Sequence, residues 1–284
     1  MELSPFNINM NIKKFIKQLT PPIVEKLLNY PARYGWFGNY STWDEAKKKC
    51  VGYDSDVIFD KVKKAALSVE AREAKFERDS VLFYKEEYNW QVLTCLMLIA
   101  SRENGILHVT DFGGSLGSFF YQHHKILKML NEVKWGIVEQ PHFVDCGNES
   151  LLRENLNFYY TVKECLQHQK NQTLFLSSVL QYLETPFEQI ANFLNFEFEY
   201  ILIDRTAFTV HEQDEITVQK IHPKIYNASY PAWFFNERKF LGFFSKGYDI
   251  FLSFENEDFT NRKGGAFKGY LMIKKKKIQD EKNA

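Results

Sequence analysis

The residues whose types and spacing could do chemistry are concentrated between Ile106 and Gln140. A short apolar run, Ile106 to Val109, leads into Asp111. A glycine turn follows, with Gly113, Gly114, Ser115 and Gly117, and then a stretch of helical period to about Leu130. A second apolar run, Trp135 to Val138, ends in Glu139. Strand, glycine loop, helix, strand and acid in that order form the first half of a doubly wound nucleotide-binding sheet. Gly113 and Gly114 permit positive φ and let backbone approach a ligand closely. Gly117 leaves room for the helix to pack on the strand, and a helix N-terminus favours an anionic group. Glu139, at the carboxyl end of its strand, can accept hydrogen bonds from both hydroxyls of a ribose. The plain alternative is an ordinary turn of an α/β core.

The loop lacks the GxGxxG spacing of nicotinamide and flavin proteins. It reads DxGxSxG, close to the DxGxGxG loop of S-adenosylmethionine (SAM) enzymes, with Ser115 in the place of the middle glycine. On that reading the loop from Asp111 to Gly117 holds the amino-acid end of SAM, Glu139 the ribose and Gln140 the adenosine. Ser177 and Ser178, at the end of a later apolar run, can bond the methionine amine, and Gln181 and Tyr182 then point into the mouth. Asp204 and Arg205 close the next run; Arg205 can grip an anionic acceptor bidentately, or the two can be a structural pair. A neutral hydroxyl is a poor nucleophile until its proton is removed, so His211 and His222 are candidate general bases. Tyr226, Tyr230, Trp233, Phe234 and Phe235 cluster around Pro231. Part of this cluster is expected in the core. The rest, with Trp36 and Tyr40 and beside His222, is expected to line an acceptor pocket.

These residues need a scaffold. Strands are expected at 107–111, 135–139, 156–161, 173–178 and 199–204, with helices between most of them. That alternation gives a largely parallel, buried sheet. Two segments rich in β-formers, Gly247–Asn256 and Gly265–Lys274, suit a terminal antiparallel pair. Residues 1–104 read as a helical N-terminal region, a lid, substrate-binding or dimerisation element, and 105–284 as the SAM-binding domain. Within the first region, Asn11 to Asn29 is a basic amphipathic stretch, read as a packing helix or a weak membrane-surface contact. Tyr34 to Tyr40 reads as a glycine-interrupted aromatic loop. Thr42 and Glu45 have the spacing of a capping box. Asp56–Phe76 and Tyr84–Arg102 read as helices.

Composition narrows the function class. The chain has 284 residues, with 36 Lys and Arg against 36 Asp and Glu. Such balance argues against a nucleic-acid footprint. The 26 Phe, 15 Tyr and 5 Trp exceed core needs and suit planar or sugar-like ligands. Cys50, Cys95, Cys146 and Cys165 show no CxxC or metal-ligand spacing, so free thiols in a reducing, cytoplasmic setting and no metal are expected. The apolar stretch Val92–Ala100 is too short to span a bilayer.

Six ordered motifs give the chain a family resemblance: YGWFGNYSTWDEA, DFGGSLGSFFYQ, WGIVEQPHFVDCG, LFLSSVLQYLETP, ILIDRTAF and VQKIHPKIYNASYPAWFFN. It resembles class I SAM-dependent methyltransferases encoded in bacterial surface-polysaccharide (O-antigen and capsule) gene clusters, from about Tyr34 to the end. The resemblance implies an α/β fold, a doubly wound, mostly parallel seven-stranded Rossmann-like sheet with a helical N-terminal extension. It also implies SAM as donor, S-adenosylhomocysteine (SAH) as product, a cytoplasmic enzyme and a glycan-precursor acceptor. An O-methyl transfer to a sugar hydroxyl, or to a phosphate or phosphoramidate oxygen, is expected. The acidic or Asn-Pro-Pro-Tyr motif of many N-methyltransferases is missing at 177–182. A nicotinamide-dependent sugar oxidoreductase and a non-catalytic scaffold of glycan assembly stay open as alternatives, as do a homodimer and proximity to a membrane.

Overall fold

The computed structural model describes residues 33–51, 55–223, 225 and 227–276. The basic stretch Asn11–Asn29 and Tyr226 lie outside the described residues.

The core is a seven-stranded layer. Its strands are β4 (Ile106–Phe112), β5 (Glu132–Val138), β6 (Leu156–Tyr159), β7 (Thr173–Ser177), β8 (Tyr200–Thr209), β11 (Tyr248–Glu255) and β12 (Gly265–Lys274). They lie in the order β6-β5-β4-β7-β8-β12-β11. The first five are parallel, and β12 runs antiparallel between β8 and β11. This is the expected mostly parallel, doubly wound sheet with a terminal antiparallel pair.

Helices cover both faces because both faces of the parallel strands are apolar. One face packs on α2 (Ser55–Glu70), α3 (Trp90–Arg102), α4 (Ser118–Leu127) and α5 (Pro141–Ser150), through Ala66, Leu96, Phe120 and Val144 against Val109, Phe175 and Leu202. The other packs on α6 (Val162–His168), α7 (Pro186–Leu194) and α8 (Glu237–Gly242), through Cys165, Phe193 and Phe240 against Leu174, Leu176 and Ile201. All four cysteines are free thiols. Among the described residues no helix is long and apolar enough to cross a membrane.

A second layer departs from the sequence expectations. The aromatic segment Gly35–Tyr40 is a strand, β1, not a loop. It pairs antiparallel with β9 (Glu215–Lys220), which pairs with β10 (Ser229–Asn236). The last two residues of β10, Phe235 and Asn236, then lie parallel to Phe208 and Thr209. This junction exists because β8 outlasts its neighbour: β7 stops at Ser177 opposite Asp204, while β8 runs on to Thr209. The result is one branched sheet of ten strands. At the branch, Ile203 faces Tyr270 and Thr206 faces Lys268, so Asp204 and Arg205 together oppose Gly269. Arg205 has φ of 49°. Such a bulge bends a strand and re-aims its side chains.

The N-terminal region is mixed rather than wholly helical. Thr42 caps α1 (Trp43–Lys47): its Oγ1 accepts from Glu45 N at 3.2 Å, as the spacing predicts, while Glu45 Oε2 accepts from Ser41 N at 3.1 Å, one residue before the cap. Helix α2 ends at Glu70, and α3 begins only at Trp90. Between them stands a short hairpin, β2 (Phe76–Arg78) and β3 (Val81–Phe83). Asp79 and Ser80 at its tip have φ of 53° and 64°, the left-handed pair that a two-residue hairpin turn requires.

Candidate active site

The glycine loop bridges β4 and α4. Gly113 adopts φ of 77° and donates its N–H to Val138 O at 3.0 Å. A Cβ there would fall 2.5 Å from Val179 Cγ2, and one on Gly114 would fall 2.5 Å from the Asp111 carboxyl. Ser115 also has positive φ, 55°, so it does the conformational work of the glycine it replaces. Gly117, with φ of 91°, is the N-cap of α4, and no side chain caps that end.

Asp111 lies behind this loop. It is buried, accepts from Trp135 Nε1 at 2.9 Å, and its pKa is pushed up to about 7, chiefly by burial. Its carboxyl is packed between Gly114 and the Trp135 indole. Glu139 lies in front, half-buried, just past the end of β5. Its Oε1 accepts from Ser115 N at 3.3 Å and its Oε2 from Gln140 N at 2.8 Å. Burial raises its pKa. Gln140 is exposed beside it.

A second cluster forms where β7 and β8 end. Asp204 is fully buried. Its Oδ2 accepts from Ser177 Oγ at 2.8 Å and from Asn89 Nδ2 at 3.4 Å, and its Oδ1 from Asn256 Nδ2 at 2.8 Å. Burial raises its pKa against the Ser177 and Asn256 hydrogen bonds. Ser178 has φ of 53° and donates its N–H to Asp204 O at 2.9 Å. Gln181, fully buried, donates to Ser178 Oγ at 3.1 Å and to Arg205 O at 3.0 Å. Its Oε1 has no partner among the described residues. Arg205 does not pair with Asp204. It forks onto Asp258, Nε to Oδ2 at 3.1 Å and Nη2 to Oδ1 at 3.3 Å.

Of the expected acceptor residues, Tyr182 and Tyr230 meet edge to face at 5.2 Å beside this cluster. Trp36 is buried between Phe234 and Phe267, at 5.8 and 5.4 Å. Trp233 stacks on Trp43 at 5.9 Å and donates to Leu183 O at 2.9 Å. Tyr40 packs with Trp43 against Ile216 and Val218. Trp36, Tyr40 and Trp233 are thus largely core of the second layer. His222 packs on Tyr34 at 4.6 Å. His211 is exposed on the turn after β8, with Nε2 3.6 Å from Glu215 Oε1. His211 stands beyond the end of β8, seven residues past Asp204.

Asn89, Asn256, Asp258 and Glu77 were not singled out in the sequence. The first three are polar residues in irregular segments, and only the tertiary fold brings them to the bulge. Glu77 had a local signal, the alternation FER-DS-VLF around a two-residue turn, in the gap between the helices read at Asp56–Phe76 and Tyr84–Arg102. Among the described residues no group of three or more His, Cys, Asp or Glu is placed to hold a metal ion.

No protein-family model and no curated protein matches the chain. Several solved structures share its general shape. The N-terminal domain of EvdMO1, crystallised with SAH and D-fucose, is 9% identical with a TM-score of 0.44, over 78% of this chain and 97% of that one. Magnesium protoporphyrin IX methyltransferase ChlM from Synechocystis PCC 6803, with bound SAM, is 11% identical with a TM-score of 0.42, over 66% and 79%. The glycopeptide N-methyltransferase MtfA, complexed with SAM, is 8% identical with a TM-score of 0.39, over 58% and 86%. Likeness at this level assigns no activity.

Proposed function

We propose that the protein is a SAM-dependent O-methyltransferase acting on a surface-polysaccharide precursor. The observation that carries the reaction class is the sheet order. A glycine loop follows the first core strand, β4, and a reversed strand, β12, is inserted between β8 and β11. That is the sheet the family resemblance implies, and a dinucleotide-binding dehydrogenase sheet does not end that way. The glycan acceptor rests on the resemblance of the six motifs and on aromatic residues at the mouth.

The residues present fit the donor. The close approach of Gly113 and Gly114 to their neighbours leaves no room for side chains, so backbone is what the loop presents to a ligand. Glu139 offers carboxylate lone pairs to ribose hydroxyls, and Gln140 flanks the adenosine. Bound SAM supplies a methyl group already activated by the positive sulfur. The chain then has three tasks: aligning the nucleophile, excluding water and removing a proton. Ser177 Oγ donates to Asp204, which leaves its lone pairs directed away from that bond. An acceptor hydroxyl can pass its proton to Ser177 Oγ as the Ser177 proton moves to Asp204. This pair takes the role first given to His211. Arg205, already forked onto Asp258, orients the bulge in preference to binding a phosphate.

The test is calorimetric titration of SAM and SAH into the wild type and Glu139→Ala. Micromolar binding that weakens at least about tenfold in the variant is expected, as for loss of charge-assisted hydrogen bonds. A folded wild type that binds neither ligand refutes the reading and directs the search to NAD(H) binding or a scaffold role.

A further inference from the structure

The hairpin β2–β3 holds a carboxylate that the donor reading above does not use. Glu77 is 3% exposed. Alternation along the strand turns Phe76 towards its stacking partner Phe83, 4.5 Å away and nearly parallel, and turns Glu77 the other way. There its Oε1 accepts from Ser118 Oγ, in the first turn of α4, and its Oε2 from Ser80 N at 3.1 Å. Ser118 directly follows Gly117, so this carboxylate sits at the end of the glycine loop.

Its surroundings lack a counter-charge. Among the described residues Glu77 makes no ion pair, and the charged group acting on it is Asp79, of the same sign. Burying a carboxylate without a cation is expensive. The result here is a pKa raised to about 7, chiefly by burial. Asp111 has a comparable shift, but it is held behind the loop by the Trp135 indole and abuts Gly114. Glu77 comes from a separate element, a hairpin that reaches the first turn of α4 through Ser118. Two hydroxyl and amide donors hold it in place, and its charge is left unneutralised.

We infer that Glu77 binds the α-ammonium group of the methyl donor, with the β2–β3 hairpin acting as the clamp on the donor's amino-acid end. The inference rests on the donor being SAM. The donor's carboxylate and ammonium share one carbon atom. A carboxylate directed to the loop N–H groups and the α4 terminus therefore brings the ammonium to the residue lining that turn. Glu77 supplies the missing anion, and the ammonium supplies the missing cation.

The test compares three ligands with wild type and Glu77→Gln by calorimetry. The ligands are SAH, its deaminated analogue, which keeps the carboxylate and lacks the ammonium, and methylthioadenosine, which lacks both. Glu77→Gln should weaken SAH roughly ten- to a hundredfold, the range for a lost charge-assisted contact. The other two ligands should change by less than about twofold, and the melting temperature of the ligand-free protein should not fall. Unchanged SAH affinity in the variant, or equal losses for all three ligands, overturns the assignment. Failure of the wild type to bind SAH at all refutes the donor reading instead.

Discussion

The two halves of the mouth are built differently. The donor half is assembled by chain neighbours: β4, the glycine loop, α4 and β5 deliver Asp111, Gly113, Ser115 and Glu139 within a single βαβ unit. The second layer, which carries Tyr230 of the proposed acceptor side, is assembled from segments remote in sequence. Trp36 is packed by Phe234 and Phe267, and its backbone is bracketed by Asn261, 225 residues away. A local unit can be altered at one residue and lose its function outright. A remote assembly distributes its stability and tolerates single losses.

The largest expected effect lies in the local half. Gly113→Val puts a branched side chain at φ of 77° with its Cβ 2.5 Å from Val179. Backbone strain of about 1–3 kcal/mol plus that clash must displace the loop. SAH affinity should fall beyond about a hundredfold, more than the combined strain alone requires, because every loop N–H moves together. Retained micromolar binding would mean the loop is not the donor cradle.

The complementary change in the remote half is Asn261→Ala. Asn261 accepts from Trp36 N at 2.8 Å and donates to Trp36 O at 3.1 Å, clamping the start of β1. Two lost hydrogen bonds should cost about 2 kcal/mol of stability, read in a denaturant melt. SAH affinity should stay unchanged. A parallel loss of SAH binding would erase the distinction between the halves.

Legibility in the sequence follows the same division. The βαβ unit, the five parallel strands and the terminal pair are read from apolar runs of the right spacing, because each strand is buried on both faces and says so locally. The strands β1, β9 and β10 are not, since Pro231, Gly38 and interspersed polar residues break their pattern and their pairing spans nearly the whole chain. The strand pair β2–β3 is only three residues a side and falls mostly in the short gap between the helices read at 56–76 and 84–102, too short to register as strands. At the site, Asp204 is visible as a charge ending an apolar run. Its partners Asn89 and Asn256 become partners only when α3 and the segment after β11 converge on the bulge.

Glu77 offers a pH test in the local half. Its ordinary value of 4.5 is raised to about 7 in the folded protein. Between those values the native state holds a proton that the unfolded state has released, so this group's contribution to stability diminishes as pH rises from 4.5 through 7. Asp111 acts in the same direction, and His123, depressed to about 4 by burial, acts oppositely below 6.5. The comparison must therefore be differential. The melting temperature of Glu77→Gln minus that of wild type should increase between pH 5 and pH 8, without ligand. A difference that is flat with pH would mean that Glu77 is not buried as a lone charge.

The smallest effect is expected at His211, one of the two histidines that the sequence offered as a base. His211 stands on the turn after Thr209, on the part of β8 that outruns β7. Its imidazole is exposed and only 3.6 Å from Glu215. Glu215 already has its own cation: Arg262 donates through Nη2 to Glu215 and through Nη1 to Gly38 O at 2.6 Å. The histidine is peripheral to that pair, and surface pairs of this kind contribute little. His211→Ala should leave SAH affinity and melting temperature unchanged. Once an acceptor is identified, its pH–rate profile should also match that of wild type, while Asp204→Asn should lose the limb that reports the base. A histidine-dependent limb would return the base to the acceptor half and make the bulge a purely structural joint.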